Sequence, residues 1–172
     1  MIARIQDALA PLHGKRLWDA GRAANMLWLQ FGDRSPAPTD RDRDRIAGEY
    51  ALHVQCPWRL SHVAGVVVGA SDVFVPADPD VAEDAFRSDR RGASTADAHL
   101  RRWLTAHAAA PLPIERIHVD RCCGVALYLE QEFALEIFPD ASSEPHDLRE
   151  QWRLLRPGND AEHLVVLNHG IE

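Results

Sequence analysis

Cys56-Pro57-Trp58-Arg59-Leu60 and Gln151-Trp152-Arg153-Leu154 share a Trp-Arg-Leu core, and their surroundings match as well. Before the first come Arg16-Leu17-Trp18 and Leu27-Trp28-Leu29-Gln30-Phe31-Gly32-Asp33; after it comes Val66-Val67-Val68-Gly69. Before the second come Val125-Ala126-Leu127-Tyr128-Leu129 and Ala134-Leu135-Glu136-Ile137-Phe138-Pro139-Asp140; after it comes Leu164-Val165-Val166-Leu167. Each copy reads as a hairpin, a Phe-x-Asp exit, a polar spacer, a Trp-Arg-Leu strand, a turn and an apolar strand. The pattern predicts one domain over 1–172 with an internal repeat, 14–76 and 113–170. Two details oppose it. The spacers differ in length, and the alternation is out of phase. Leu27, Leu29 and Phe31 share one face, whereas Phe133, Leu135 and Ile137 share one in the second copy. A one-residue slip moves every side chain to the other face, so ordinary antiparallel patterning is the simpler account.

Working outward, Ile2, Ile5, Leu9 and Leu12 recur at helical spacing and predict a helix over 2 to about 10, ending near Pro11. A hairpin follows, 15–19 and 25–32, with Gly21 in its turn. Residues 33–47 read as a polar loop, and Asp40-Arg41-Asp42-Arg43-Asp44-Arg45 as a solvated, self-neutralising segment. From Glu49 to Leu60 the pattern is strand-like, with Tyr50, Leu52, Val54 and Cys56 on one face. Val66–Gly69 and Asp72–Val75 read as strands, and 77–93 as a loop. The strongest helix is 95–109. Ser94 is its N-cap with Asp97 in a capping-box position, and Ala96, Leu100, Trp103, Leu104 and Ala108 form one apolar stripe. Strands return at 114–120, 124–130, 133–138, 149–155 and 163–168. Short connections imply antiparallel pairing. The fold class expected is α+β: one or two antiparallel sheets, packed with the central helix and the short N-terminal one.

The totals narrow the function. A chain of 172 residues with 46% apolar content buries a substantial core, so disorder is not expected. A net charge of -7 argues against broad attraction to nucleic acid or an anionic membrane. Lys15 is the only lysine, and the arginine bias reads as that of a GC-rich bacterial genome. Cys56, Cys122 and Cys123 follow no disulfide framework, and adjacent cysteines rarely bridge, so the expectation is a cytoplasmic protein with reduced thiols. Arg4 and Asp7 interrupt the N-terminal apolar stretch, which is therefore not read as a secretory signal.

No catalytic signature appears: no G-x-S-x-G elbow, no phosphate-cradling glycine loop, no H-E-x-x-H. Nine histidines invite a search for metal ligands. His118, Asp120 and Cys122 would share one face of an extended strand, and His53 precedes Cys56 by three residues. Imidazole and thiolate suit zinc. The competing reading is half-buried histidines and buried neutral cysteines acting as small hydrophobes. Asp33, Asp72, Asp120, Glu136 and Asp140 are the carboxylates placed in or at the ends of strands. No cofactor is implied.

The tryptophans and arginines are the better lead. In each Trp-Arg pair one side chain faces the core and the other the surface. Arg59 and Arg153 are then matching points, with Asp33 and Asp140 as expected partners. Trp28, Trp58, Arg59, Trp152 and Arg153 are the candidate binding residues, because Trp and Arg are enriched at interface hot spots. The alternative is tryptophan in the core and arginine in salt bridges. The stretches Tyr50–Leu60 and His163–Glu172 resemble segments of small uncharacterised bacterial proteins from GC-rich genomes, a resemblance that implies no site. The layout is also similar to small acidic α+β immunity proteins, which act by binding toxins. The expected function is therefore a non-enzymatic binding module with a protein partner or a second copy of itself. A small-ligand or metal-dependent enzyme on His53, His118, Asp120 and Cys122, or a structural component of a larger assembly, are the alternatives.

Overall fold

The structure, a computed structural model, describes residues 1–37, 46–142 and 148–172, and of 159–162 it describes the backbone. Helix α1 (Ile2–Leu9) opens the chain, followed by a 3-10 turn over Ala10–Leu12. Strands β1 (Leu17–Ala23), β2 (Met26–Pro36) and β3 (Ile46–Val54) form a meander, and β4 (Trp58–His62) and β5 (Gly65–Gly69) a hairpin. Helix α2 (Thr95–Ala106) comes next. Strands β6 (Ile114–Val119), β7 (Val125–Leu129) and β8 (Phe133–Ile137) form a second meander, and β9 (Glu150–Arg156) and β10 (Asn159–Leu167) a second hairpin. The short β11 (Gly170–Ile171) follows. All pairings are antiparallel. One sheet has the order β1-β2-β3-β9-β10-β11 and the other β5-β4-β8-β7-β6. The fold is α+β with two antiparallel sheets.

Both sheets are assembled by one rule. Each meander is extended by the hairpin that lies in the other part of the chain: β3 pairs with β9, and β8 pairs with β4. The helices cross over in the same way, α1 packing on β6 and α2 on β1. Registers correspond in detail. Leu17 faces Phe31, which faces Tyr50; Ile114 faces Leu129, which faces Phe133. Both first hairpins carry a bulge one residue along, between Leu17 and Asp19 and between Ile114 and Arg116. This register matches β4 with β9 and β5 with β10, in line with the Trp-Arg-Leu motifs. It matches β2 with β7 rather than with β8, so the hairpin parts of the sequence pattern stand one strand out of step. That displacement accounts for the opposed alternation of the two Phe-x-Asp segments.

Packing follows the alternation. Leu27, Leu29 and Phe31 of β2 are fully buried, as are Leu127 and Leu129 of β7. A single cluster joins these to Leu52, Trp58, Trp103 and Trp152, so residues from both sheets and both helices share one core. Burying each such side chain contributes roughly 1.5–3 kcal/mol. At the head of α2 the Ser94–Asp97 capping box forms as the sequence predicts: Ser94 Oγ accepts from Asp97 N at 3.3 Å, and Asp97 Oδ2 accepts from Ser94 N at 3.2 Å.

Several boundaries differ from expectation, each for a local reason. Gly21 is in mid-strand, not in the turn. The Trp28 ring lies across it, and a Cβ there would come within 2.5 Å of that ring. The turn is made instead at Ala24, with φ 52°. Residues 33–36 continue β2, and β3 starts at Ile46, so neither 33–36 nor 46–47 is loop; the charged run 40–45 lies outside the described residues. The stretch Glu49–Leu60 is two strands. Gln55 N and Cys56 N donate to Gln151 O, which ends β3, and Pro57 then leads the chain into the other sheet. Residues 70–74 are a 3-10 turn rather than a strand, because the Asp72 carboxylate accepts from Gly69 N at 2.9 Å. Helix α2 stops at Ala106, where His107 Nδ1 donates back to Trp103 O at 2.8 Å.

Candidate functional site

The Trp-Arg pairs divide as their alternation requires. Trp58 is 3% exposed and Trp152 fully buried, while Arg59 is exposed and Arg153 half-buried. Neither tryptophan is available to a partner. Trp152 instead ties the sheets together, its indole N–H donating to Cys123 O at 2.9 Å. Trp28 is half-buried against Gly21. The arginines pair with glutamates, not with Asp33 and Asp140. Arg59 forks onto Glu136, its cross-strand neighbour, at 2.6 and 2.9 Å. Arg153 faces His53 across the strands, so it turns along its own strand to Glu150, Nε to Oε1 at 2.7 Å. The arginine hydrogen bond holds each carboxyl below its ordinary value. The paired arginines read as register clamps.

The metal candidates do not meet. His53 lies on β3 of one sheet, and His118 on β6 of the other. Strand β6 ends at Val119, so Asp120 and Cys122 sit in a tight turn and not along a strand. Asp120 Oδ1 accepts from Cys122 N at 2.7 Å and from Gly124 N at 2.9 Å. Any Cβ at position 124 would lie 2.5 Å from that carboxylate, which accounts for the glycine. No group of three His, Cys, Asp or Glu with metal-holding geometry occurs among the described residues. Burial pushes the Cys56 thiol up to about 12 and also raises Cys123, which disfavours the thiolate a nucleophile needs.

A buried ion pair is structural too. Arg22 of β1 donates from Nε and Nη2 to the Asp97 carboxylate at 3.1 and 2.6 Å, and Nη2 also donates to Ser88 O and Ser94 Oγ. Burial alone raises the Asp97 carboxyl, but bonds from Arg22 and Ser94 outweigh it and leave the group below its ordinary 3.8. This pair pins α2 and the 88–94 segment onto β1.

Two surfaces stand out among the described residues. The first is the outer edge of β5. Val66 of the strand is 63% exposed, Val63 in the turn before it 71%, and Phe74 in the 3-10 turn after it 63%. Between Arg59 and Asp72 the chain has no charged residue. The other sheet edges are managed differently: β6 presents exposed Glu115, Arg116 and His118, β1 is held against α2 through Arg22, and β11 is two residues long. Strand ends of this kind normally carry charge, proline or a cover, because an open edge is a template for another chain.

The second is a cleft of about 400 Å³ between α2 and the β4–β5 hairpin, walled by His62, Val66, His99, Arg102, Trp103 and Phe133. Its rings form a chain: His62–Phe133 at 4.8 Å, Phe133–Trp103 at 5.6 Å and Trp103–His107 at 4.7 Å between centroids. The sequence signal for it is the i, i+4 pair His99 and Trp103 on one face of α2, with Arg102 beside it. Phe133 and His62 join only through the tertiary fold. Among the described residues no helix is long and apolar enough to cross a membrane. Compared with known proteins, the chain matches no family model, no curated protein and no solved structure.

Proposed function

We propose that this chain is a non-enzymatic protein-binding module whose partner adds a strand to the outer edge of β5. The observation that carries the reading is the uncharged stretch from the exposed turn residue Val63 into exposed Val66 of β5, a strand with no described strand beside it on its outer side. Strand addition supplies main-chain hydrogen bonds along the edge and uses alternate side chains for specificity. The valines give such a contact apolar area to bury, at about 25 cal/mol per Å². The Trp58 and Trp152 faces do not serve, since both rings are in the core. The paired Arg59 and Arg153 hold register.

The test places a photo-crosslinking amino acid at position 66 and, separately, at position 116 on the charged edge of the other end of that sheet, with sedimentation equilibrium on the purified protein. The expected result is one discrete crosslinked species at 66, self or foreign, and none at 116. Self-pairing also appears as a dimer that Val66→Lys returns to monomer. A monomer that crosslinks no more at 66 than at 116 sinks the proposal.

A further inference from the structure

Beyond edge pairing, we propose that the cleft between α2 and the β4–β5 hairpin is a binding site for a small aromatic carboxylate. Four observations carry it. The volume, about 400 Å³, falls within the range of small-molecule sites, roughly 300–1,000 Å³.

Two ring nitrogens that belong to its wall, Trp103 Nε1 and His99 Nδ1, are buried and have no hydrogen-bond partner among the described residues. Buried polar atoms are rarely left unpaired, and these two lie beneath the cleft surface, where a side-chain shift on ligand binding would bring them into reach. Trp103 itself is 6% exposed.

The wall carries a cationic donor, the Arg102 guanidinium. An indole nitrogen only donates, and a guanidinium, here Arg102, only donates. His62 Nδ1 accepts from Ala64 N at 3.3 Å, which fixes the ring at the mouth of the hairpin. No Asp or Glu lines the cleft, although the chain as a whole carries a net charge of -7. The complementary ligand is rich in acceptors and anionic.

The rest of the wall is flat and apolar: Phe133, the Trp103 ring, Val66, Val67 and Ala106. Such a surface suits an aromatic ring, which prefers offset or edge-on partners at 4.5–7 Å. A bare phosphate or a sugar phosphate leaves it unused. The matching cleft of the other half, between α1 and β9–β10, is smaller at about 320 Å³ and places Asp7 among Arg4, Tyr50 and Arg156. An acid there competes with an anion for the arginines, whereas no acid stands beside Arg102 among the described lining residues of the α2 cleft.

The experiment titrates the folded protein with 2-naphthoate, 2-naphthamide and 2-naphthylmethylamine by calorimetry, and follows the tryptophan indole N–H signals by NMR. The Trp103 signal is assigned by its loss in Trp103→Phe. Naphthoate is expected to bind one per chain and to shift the Trp103 indole proton. The amide and the amine are expected to bind about tenfold more weakly or not at all, the scale of a lost charge-assisted hydrogen bond. Arg102→Gln, at an exposed position, is expected to reduce naphthoate affinity about tenfold without changing the melting temperature. Arg4→Gln in the other cleft is expected to leave it unchanged. Equal binding of acid and amide, wild-type affinity in Arg102→Gln, or an unmoved Trp103 indole signal overturns the proposal, as does no binding by any probe. Because the probes are small molecules, the outcome is independent of whether β5 recruits a protein strand.

Discussion

The hairpins β4–β5 and β9–β10 occupy matching places: each completes the sheet begun by the meander of the other half. Their outer edges are treated in opposite ways. Beyond β10 lies β11, with Val166 and Leu167 paired to Ile171 and Gly170. Beyond β5 no described strand lies, and valines face solvent there. The same backbone rule thus leaves one edge closed and one open. Topology did not force the difference: the two residues of β11 cover only the Val166–Leu167 end of β10. The open edge is also the one next to the Arg102 cleft, so these two surfaces gather on one side of α2.

The two tryptophans at matching positions sharpen this contrast most strongly. Trp58→Ala and Trp152→Ala are each expected to cost about 3–5 kcal/mol in urea unfolding, because both rings are core. The phenylalanine variants separate them. Trp152→Phe also strands the carbonyl of Cys123 and is expected to cost about 1 kcal/mol more than Trp58→Phe. Equal losses mean that the indole–carbonyl bond does not hold the sheets together.

Next in size is the buried pair that only one half possesses. The register puts Val119 where the first half has Arg22. Arg22→Val, which copies the second half, is expected to cost about 3 kcal/mol by leaving Asp97 charged and unpaired. Adding Asp97→Asn to it is expected to recover part of that loss. The pH dependence follows from the lowered Asp97 carboxyl. A depressed folded value stabilises the protein above the unfolded value near 3.8, and that contribution is lost as pH falls below it. Acid unfolding monitored by circular dichroism is therefore expected to flatten below pH about 4 in Asp97→Asn relative to wild type. Parallel curves assign the acid sensitivity to Glu49, Glu136 and Glu150 instead, which are also lowered.

A smaller energetic effect carries the larger functional consequence. Val66→Lys is expected to change stability by no more than about 0.5 kcal/mol, as an exposed position, yet to abolish edge pairing. Conversely, deleting residues 170–172 uncovers β10 and is expected to produce new self-association in sedimentation velocity. If that deletion stays monomeric, exposure of an edge is not enough and the charge-free sequence of β5 is the deciding feature. Last come the register clamps. Arg59→Ala is expected to cost under about 1 kcal/mol, since its partner contact is solvent-exposed. Arg153→Ala is expected to cost slightly more, because Glu150 is the better-buried acid. Thermal melts of the two variants rank them directly.

Local patterns were legible where they depend on neighbours along the chain. The alternation in Leu27–Phe31 and Leu127–Leu129, the Ser94–Asp97 cap and the division of each Trp-Arg pair into one inward and one outward side chain appear as the sequence requires; that the tryptophans, offered as binding residues, are the inward members was decided by packing. What was not legible depends on residues far apart. Gly21 looked like a turn because nothing along the chain shows the Trp28 ring across it. Asp120 and Cys122 looked like ligands on a strand because the turn closed by the Asp120 carboxylate is not a spacing. The partner of Arg59 is Glu136, 77 positions away, and only register selects it over Asp33.

By itself, then, the sequence determined the α+β class, the strand-and-helix order and which side chains share a face, since period, caps and turns are local properties of covalent geometry and solvation. Only the tertiary structure decided that each meander takes the other half's hairpin, that β11 closes one edge and leaves β5 open, and that His62 and Phe133 come to stand beside Trp103. Those outcomes rest on which distant surfaces bury the most apolar area together, a competition that no single stretch of chain contains.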